Sequence, residues 1–509
     1  MSSPNKIYVN KQSFSNRVVQ SVSWLAAFQI IDNVLGIVRL IVLARLLSPV
    51  AFGLVGVAWL TLQVLNTFTQ SGMNQSLIYK QKIDTMLNAG WTFQILRGVA
   101  LFIILQLLAP FVGIFFNSQE AVPVIQALGF TLLLDGFTNI GVIYFQKDLD
   151  FSKQFKLNAA GNVTDAVITI IFAFILQNVW AIVFGALANS IVRLILSYTL
   201  SNYRPRLSWN FSYIKEMFHY GKWIGGSSIL QFIYSQGDDL LVGRLLGVTS
   251  LGYYQLAYRI SNLPATQITH IISTVMFPAY SKIQSSISSV RRVYIVNLQI
   301  ISFLSFLIGT LIILFANDFT ILFLGTQWLP IVLAMQMLTL WGVIRSVGAT
   351  TGPVWQALGS PKTVTKIQTF QVAILLIVIY PLTTLYGIVG TSIAVVLSAF
   401  IPNIVTIKLI AKTLEVSVSK VLSCLGYPFA ASIFVAIIFT LLKGFYPDVN
   451  YLSFTVLAVI CIFAYVASTL LFSKYLNYQF YILSAELVEK SKYANIYRKY
   501  SKKLEGLYK

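Results

Sequence analysis

Apolar residues in this chain fall in long unbroken runs, not in the short alternations of a soluble fold. Fourteen such runs recur, near 20–45, 50–74, 88–114, 119–145, 156–177, 179–201, 220–246, 250–280, 292–316, 328–358, 364–384, 387–410, 420–442 and 451–473. A helix rises about 1.5 Å per residue, so a run of about 20 residues crosses a hydrocarbon layer of about 30 Å. Inside lipid the backbone must satisfy its own hydrogen bonds, and a helix does so within one segment. The pattern therefore predicts an all-α, polytopic membrane protein of about 14 transmembrane helices.

The polar residues between the runs test that count. Of the 36 Lys and Arg, 28 fall in the N-terminal segment, the tail and every second loop; one, Lys443, falls in the alternate loops, and seven arginines lie inside the runs. The positive-inside rule makes the crowded side cytoplasmic and places both termini there. The net charge of +20 is thus read as orientation in the membrane, and no nucleic acid partner is expected. Charged residues make up only 10% of the chain, against about 25% in soluble domains. Residues 1–17 are polar, and no targeting peptide is expected. Cys424 and Cys461 lie in apolar runs as small fillers, and His219 and His270 sit on different segments. No metal site and no cofactor are expected from them. The outer loops are all short, which disfavours a membrane polymerase or ligase, so the chain is not expected to be an enzyme.

An internal repeat organises the runs. Placing Trp24 over Trp223, at an offset of 199, brings Ile30 to Ile229, Arg45 to Arg244, Leu46 and Leu47 to Leu245 and Leu246, Gly53 to Gly252, and Ala58 to Ala257. Spans 1–6 and 7–12 are two copies of a six-helix unit. Six is even, so the copies are parallel, and such folds place the substrate between their halves. The expected organisation is a cytoplasmic N-terminus (1–17), an N-lobe (18–203), a cytoplasmic amphipathic linker (204–219), a C-lobe (220–412), two extra helices (413–475) and a basic cytoplasmic tail (476–509).

Charge inside the runs marks the candidate chemistry. An ionisable group at the bilayer centre costs roughly 2.5–3.5 kcal/mol on insertion scales. Arg45 and Arg244 sit at outer ends and can snorkel. Matching depth pairs Asp165 with Arg193, and Arg97 with Asp135. Asp32, Arg39, Asp238, Asp239, Arg259 and Arg345 remain. In repeat register Asp238 replaces Arg39, Asp239 replaces Leu40 and Arg259 replaces Leu60. Two readings stay open. Asp238 or Asp239 pairs with Arg259 across the hairpin of spans 7 and 8. Alternatively, a hydrated cavity uses Arg39, Arg259, Arg345 and Arg97 to hold an anionic group such as a diphosphate or acidic sugar. Asp32, Asp238, Asp239 and Asp135 would then form a charge network that takes a proton or sodium ion as coupling ion. Gly225–Gly226, Pro264 and Gly352–Pro353 break three spans and fit moving parts.

Several stretches resemble a known family. Leu43–Ala58 (LARLLSPVAFGLVGVA) and Asp238–Arg259 (DDLLVGRLLGVTSLGYYQLAYR) are similar to the polysaccharide-transport flippases, the Wzx-type exporters of O-antigen, exopolysaccharide and teichuronic acid repeat units. QKDLDF (146–151), FPAYSKIQ (277–284) and LGTQW (324–328) also resemble family stretches in the same order, and the likeness covers about residues 18–410. The family usually carries a charge within the LGTQW-like stretch, and this chain has none there. The resemblance implies the fold shared with MATE-type multidrug exporters and the peptidoglycan-precursor flippase, with V-shaped lobes in alternating access. It implies a multi-pass protein of the cytoplasmic (inner) membrane that flips polyprenyl-diphosphate-linked oligosaccharides for lipopolysaccharide or exopolysaccharide export. The implied partners are an undecaprenyl-diphosphate-type lipid-linked oligosaccharide, membrane lipids and polysaccharide assembly proteins, with the chain a monomer. A cation-coupled multidrug antiporter on the same fold is the alternative.

Overall fold

A computed structural model of the chain describes residues 32–69, 84–147, 151–209, 232–263, 269–445 and 450–475. All regular structure among them is helical. The amphipathic stretch beyond residue 209, the tail, Gly225–Gly226 and Pro264 lie outside the described residues. The chain divides into two compact units, 1–255 and 256–509.

The first unit holds helical residues 32–46 (α1), Pro49–Phe68 (α2), Asp84–Phe115 (α3), Ala121–Phe137 (α4), Phe151–Leu176 (α5), Trp180–Leu200 (α6) and helical residues 232–246 (α7). Val248–Ser261 (α8) runs from the first unit into the second. Lipid offers no hydrophobic drive for helices to associate, so small residues that admit close backbones decide the packing. Gly98 and Gly136 do this for α3 and α4: a Cβ on Gly98 would lie 2.9 Å from the Gly136 Cα and the Leu132 carbonyl oxygen. After α6 the chain is strapped onto α3. Tyr203 Oη and the Arg206 backbone N–H both donate to Asn88 Oδ1, at 2.8 and 2.9 Å.

The second unit holds Thr269–Ile283 (α9), Ile287–Phe319 (α10), Val332–Gly348 (α11), Thr351–Ala357 (α12), Pro361–Thr413 (α13), Val418–Phe445 (α14) and Tyr451–Tyr475 (α15). At about 1.5 Å per residue, the 53 residues of α13 are far too long for one crossing. The helix turns back at Gly387, whose φ of 59° and ψ of −141° are open to a residue without Cβ. This is the boundary expected between the runs 364–384 and 387–410. The expected break near Gly352–Pro353 is also present, because α11 stops at Gly348 and α12 starts at Thr351. Pro353 sits in the first turn of α12, where its missing N–H would have had no partner.

The last two helices, α14 and α15, dock on α10. Phe315 packs with Ala431, Val435, Phe439, Leu457, Cys461 and Tyr465. Polar contacts lock the register: Thr310 Oγ1 donates to Ser432 Oγ (2.7 Å), Tyr465 Oη to the Phe303 carbonyl (3.0 Å), and Lys443 Nζ pairs with buried Asp318. Lys443, the one basic residue that departs from the loop asymmetry, is therefore a fastener.

Nine helices among the described residues are long and apolar enough to cross a membrane. Large apolar side chains such as Leu107, Phe111, Ile377, Leu385 and Phe463 lie exposed on their outer faces, where only a lipid solvent stabilises them. The chain is a multi-pass membrane protein.

Candidate functional site

The repeated hairpins meet face to face, and equivalent residues touch. α1 ends at residue 46 and α7 at residue 246, and the following helices start at Pro49 and Val248, positions related by the same offset of 199. Ser48 caps α2, its Oγ accepting from the Ala51 N–H at 3.4 Å, with Pro49 at the first turn. On the other side Gly247 turns the chain at φ 85°. A Cβ on Gly53 would strike the Val248 carbonyl, and a Cβ on Gly252 would strike the Pro49 carbonyl. Gly53 and Gly252 are repeat equivalents, as are Pro49 and Val248, so the contact is reciprocal about a local two-fold axis. Gly56 and Gln255 are also equivalents, and the Gln255 amide fills the space over Gly56.

That seam positions the two aspartates. Tyr254 Oη donates to Asp238 Oδ2 at 2.7 Å, and Gln255 Nε2 donates to Asp239 Oδ2 at 3.3 Å. Asp238 is 4% exposed and Asp239 9%, so each carboxylate depends on these partners. In the first copy the matching positions are Arg39, Leu40, Val55 and Gly56. All four positions differ between the copies, and the copy with the buried carboxylates is the one that has donors one helix away. Asp239 Oδ1 is buried without a hydrogen-bond partner among the described residues. Outside the seam, Arg244 anchors the hairpin, donating to the Phe115 carbonyl at 2.7 Å with its guanidinium 5.2 Å from the Phe115 ring.

A second polar group lies between α1, α5 and α6. Arg39 Nη1 forms an ion pair with Asp165 Oδ2. Thr169 Oγ1 donates to Asp165 Oδ1 at 3.0 Å. Asn162 Nδ2 donates to Asp32 Oδ1 at 2.5 Å, and Asn162 Oδ1 accepts from Asn189 Nδ2 at 3.3 Å. The expected Asp165–Arg193 pair is thereby corrected: Asp165 faces α1, while the Arg193 stem lies over Gly161, where a Cβ would come within 2.8 Å of its Cγ. The expected Arg97–Asp135 pair is corrected too. Arg97 turns to α2, donating to Asn66 Oδ1 (3.0 Å), the Asn66 carbonyl (3.3 Å) and Thr69 Oγ1 (3.0 Å). The close Gly98–Gly136 crossing leaves Arg97 on another face of α3, and Asp135 lies exposed on α4.

The third group lies in the second unit. α8 and α11 cross where a Cβ on Gly342 would come 2.5 Å from the Ser261 carbonyl oxygen, and Ser261 Oγ donates to the Met335 carbonyl at 2.7 Å. The crossing sets Tyr258 and Arg259 of α8, and Asn262 just past its end, beside Trp341 and Arg345 of α11. Tyr258 and Trp341 rings are 5.1 Å apart. The Arg345 guanidinium lies 5.0 Å from the Trp341 ring, and its Nη1 donates to Asn262 Oδ1 at 3.4 Å. Arg259 is exposed and Arg345 half-buried.

Sequence reasoning thus located the charges and missed their neutral partners: Tyr254, Gln255, Asn162, Asn189, Asn262 and Trp341. A weak signal existed, since Asn162, Asp165 and Thr169 recur at helical spacing on an apolar helix, and Trp341 precedes Arg345 by four.

The profile of a family described as polysaccharide biosynthesis protein matches residues 42–333. The chain is 26% identical over 350 residues to the lipopolysaccharide biosynthesis protein WzxC of Escherichia coli (strain K12), covering 68% of this chain and 71% of that one. It is 28% identical over 391 residues to an uncharacterized membrane protein in the cps region of Klebsiella pneumoniae, covering 75% and 79%. It is 24% identical over 291 residues to the teichuronic acid biosynthesis protein TuaB of Bacillus subtilis (strain 168), covering 57% and 60%. Among solved structures, the lipid II flippase MurJ in an inward closed conformation superposes with a TM-score of 0.73 at 15% identity, covering 89% of this chain and 99% of that one. An inward-facing multidrug resistance MATE family transporter gives a TM-score of 0.57 at 15% identity, covering 78% and 99%. These two likenesses describe the fold.

Proposed function

The chain belongs to the polysaccharide biosynthesis protein family, and from that premise we propose that it is a flippase for lipid-linked oligosaccharides. It moves polyprenyl-diphosphate-linked repeat units from the cytoplasmic to the outer leaflet by alternating access, supplying polysaccharide export without making or breaking bonds. The two six-helix copies, 18–203 and 220–412, act as the moving lobes.

The observation that carries this reading is the pair of arginines on the α8–α11 crossing. Arg259 and Arg345 bring guanidinium groups to spanning helices where a charge is costly. A guanidinium presents fork-shaped donors that fit a phosphate oxyanion, and the substrate's diphosphate is its only obligatory charge. Arg39 and Arg97 hold protein partners in the structure and serve as secondary members of the cavity. Asp32, Asp135, Asp238 and Asp239 are the candidates for taking up a proton or sodium ion, at separate points: Asp32 beside Asn162, Asp238 and Asp239 in the hairpin seam, and Asp135 on α4. A cation-coupled drug antiporter is the second reading, favoured by the carboxylates Asp32 and Asp165 on α1 and α5. Arg39 already answers Asp165, which weakens it. In a strain that depends on this protein, Arg259→Ala and Arg345→Ala should each abolish surface polysaccharide at normal protein level. Normal polysaccharide in both would overturn the assignment, and a drug-sensitive deletion strain with intact polysaccharide would support the antiporter.

A further inference from the structure

Three arginines on spanning helices are held in three different ways. Arg39 is neutralised by a carboxylate, Asp165. Arg97 spends its donors on Asn66 and Thr69. Arg345 is held by a neutral amide and an aromatic face. Among the described residues it makes one hydrogen bond, from one of its five N–H donors.

We infer that Asn262 and Trp341 are positioning residues that orient Arg345 for an incoming oxyanion while leaving its charge uncompensated. This rests on the reading of Arg345 as the residue that holds the substrate's diphosphate. Burial decides the role of Trp341. Only 4% of it is exposed, so its ring is closed to a sugar, and the group it does serve is the guanidinium 5.0 Å away. One face of a planar cation against an indole fixes the plane of its donors. Asn262 then fixes rotation within that plane. The pair is itself rigid, because the Gly342–Ser261 crossing and the Ser261–Met335 hydrogen bond set the register of α8 against α11.

The identity of residue 262 is the sensitive point. Asparagine and aspartate have nearly the same shape. An amide orients Arg345 and leaves a net positive charge, whereas a carboxylate would form an ion pair like that of Arg39 and Asp165 and withdraw the cation from any ligand. Arg259 stands in the last turn of α8, three residues before Asn262. A ligand at Arg345 therefore lies near a second cation, and a neutral residue 262 leaves the Arg345 charge available to it.

The experiment uses the full-length protein in lipid nanodiscs, with farnesyl diphosphate as the anionic probe and farnesol as its neutral counterpart. Hydrogen bonds to charged groups contribute enough that losing the guanidinium should weaken a ligand on the order of tenfold or more. Arg345→Ala is expected to weaken farnesyl diphosphate by about that factor. Asn262→Asp should weaken it as much, Asn262→Ala by a smaller factor of about three, and Asn262→Gln should retain most of the affinity. Farnesol affinity should be unchanged in all four, which a general loss of structure would not allow. Asn262→Asp combined with Arg345→Ala should be no weaker than Arg345→Ala alone. Wild-type diphosphate affinity in Asn262→Asp, with loss in Arg345→Ala, overturns the positioning role and leaves the substrate site standing. Wild-type affinity in Arg345→Ala overturns both. Equal loss of both probes in Asn262→Asp assigns the residue to packing and overturns the inference.

Discussion

Arg39 and Asp165 show what a membrane-embedded charge needs at the scale of one residue. Their side chains are 24% and 14% exposed, so the pair lies between the surface and fully buried cases. Removing one partner of a buried pair costs about 3–5 kcal/mol, and exposed pairs contribute at most about 1. Asp165→Ala is therefore expected to destabilise by roughly 1–3 kcal/mol, read as a lower unfolding temperature in detergent. The double variant Arg39→Met with Asp165→Leu should recover most of that loss. If Arg39 also touches substrate, the double variant will be stable and yet lose surface polysaccharide; retained polysaccharide would make the pair purely structural. The sequence identified both residues as costly charges but matched Asp165 to Arg193 by depth. Depth along a helix is readable from position in a run. The direction around the helix axis is not, and it decides the partner.

At the scale of the element, the helices meet through positions that have no side chain. Gly252 is the clearest case. A Cβ there would overlap the Pro49 carbonyl and come within 2.9 Å of the Gly53 backbone nitrogen, and neither backbone group can move aside cheaply. Gly252→Ala should cost about 1–3 kcal/mol by overpacking. Gly352 is the counter-example, since nothing lies within 4 Å of its Cβ position. Gly352→Ala should leave stability unchanged or raise it by at most about 1 kcal/mol through helix propensity. Thermal unfolding of the two variants side by side tests the contrast. An equal loss in both would mean that the cost comes from the backbone conformation at each glycine and not from a close contact. The repeat alignment marked Gly53 and Gly252 as shared, but a shared glycine could serve a turn or a contact. The structure makes it a contact.

Across the whole molecule, the repeat is the organising fact. The α1–α2 and α7–α8 hairpins repeat at an offset of 199, and their contact joins equivalent positions. Here these are Gly53 with Gly252 and Gly56 with Gln255. Gln255→Leu keeps a side chain over Gly56 and removes the donor to Asp239, so it is expected to destabilise by about 1–3 kcal/mol, read as a lower unfolding temperature in detergent. Unfolding at the wild-type temperature would mean that the Asp239 carboxylate does not depend on that donor.

The sequence by itself determined the membrane class, the length and approximate limits of the helices, the repeat, and the inventory of embedded charges. These are properties of local composition and period, and lipid makes them stringent because a spanning backbone has no partner but itself. Only the tertiary structure decided which charges meet. Arg39 and Asp165 are 126 residues apart in the chain, and Arg345 and Asn262 are 83 apart. Their encounter depends on the rotation of each helix about its own axis. That rotation is set by close backbone contacts at glycines, at Gly98 and Gly136, at Gly53 and Gly252, and at Gly342, and a hydropathy pattern that is apolar on every face carries no record of it.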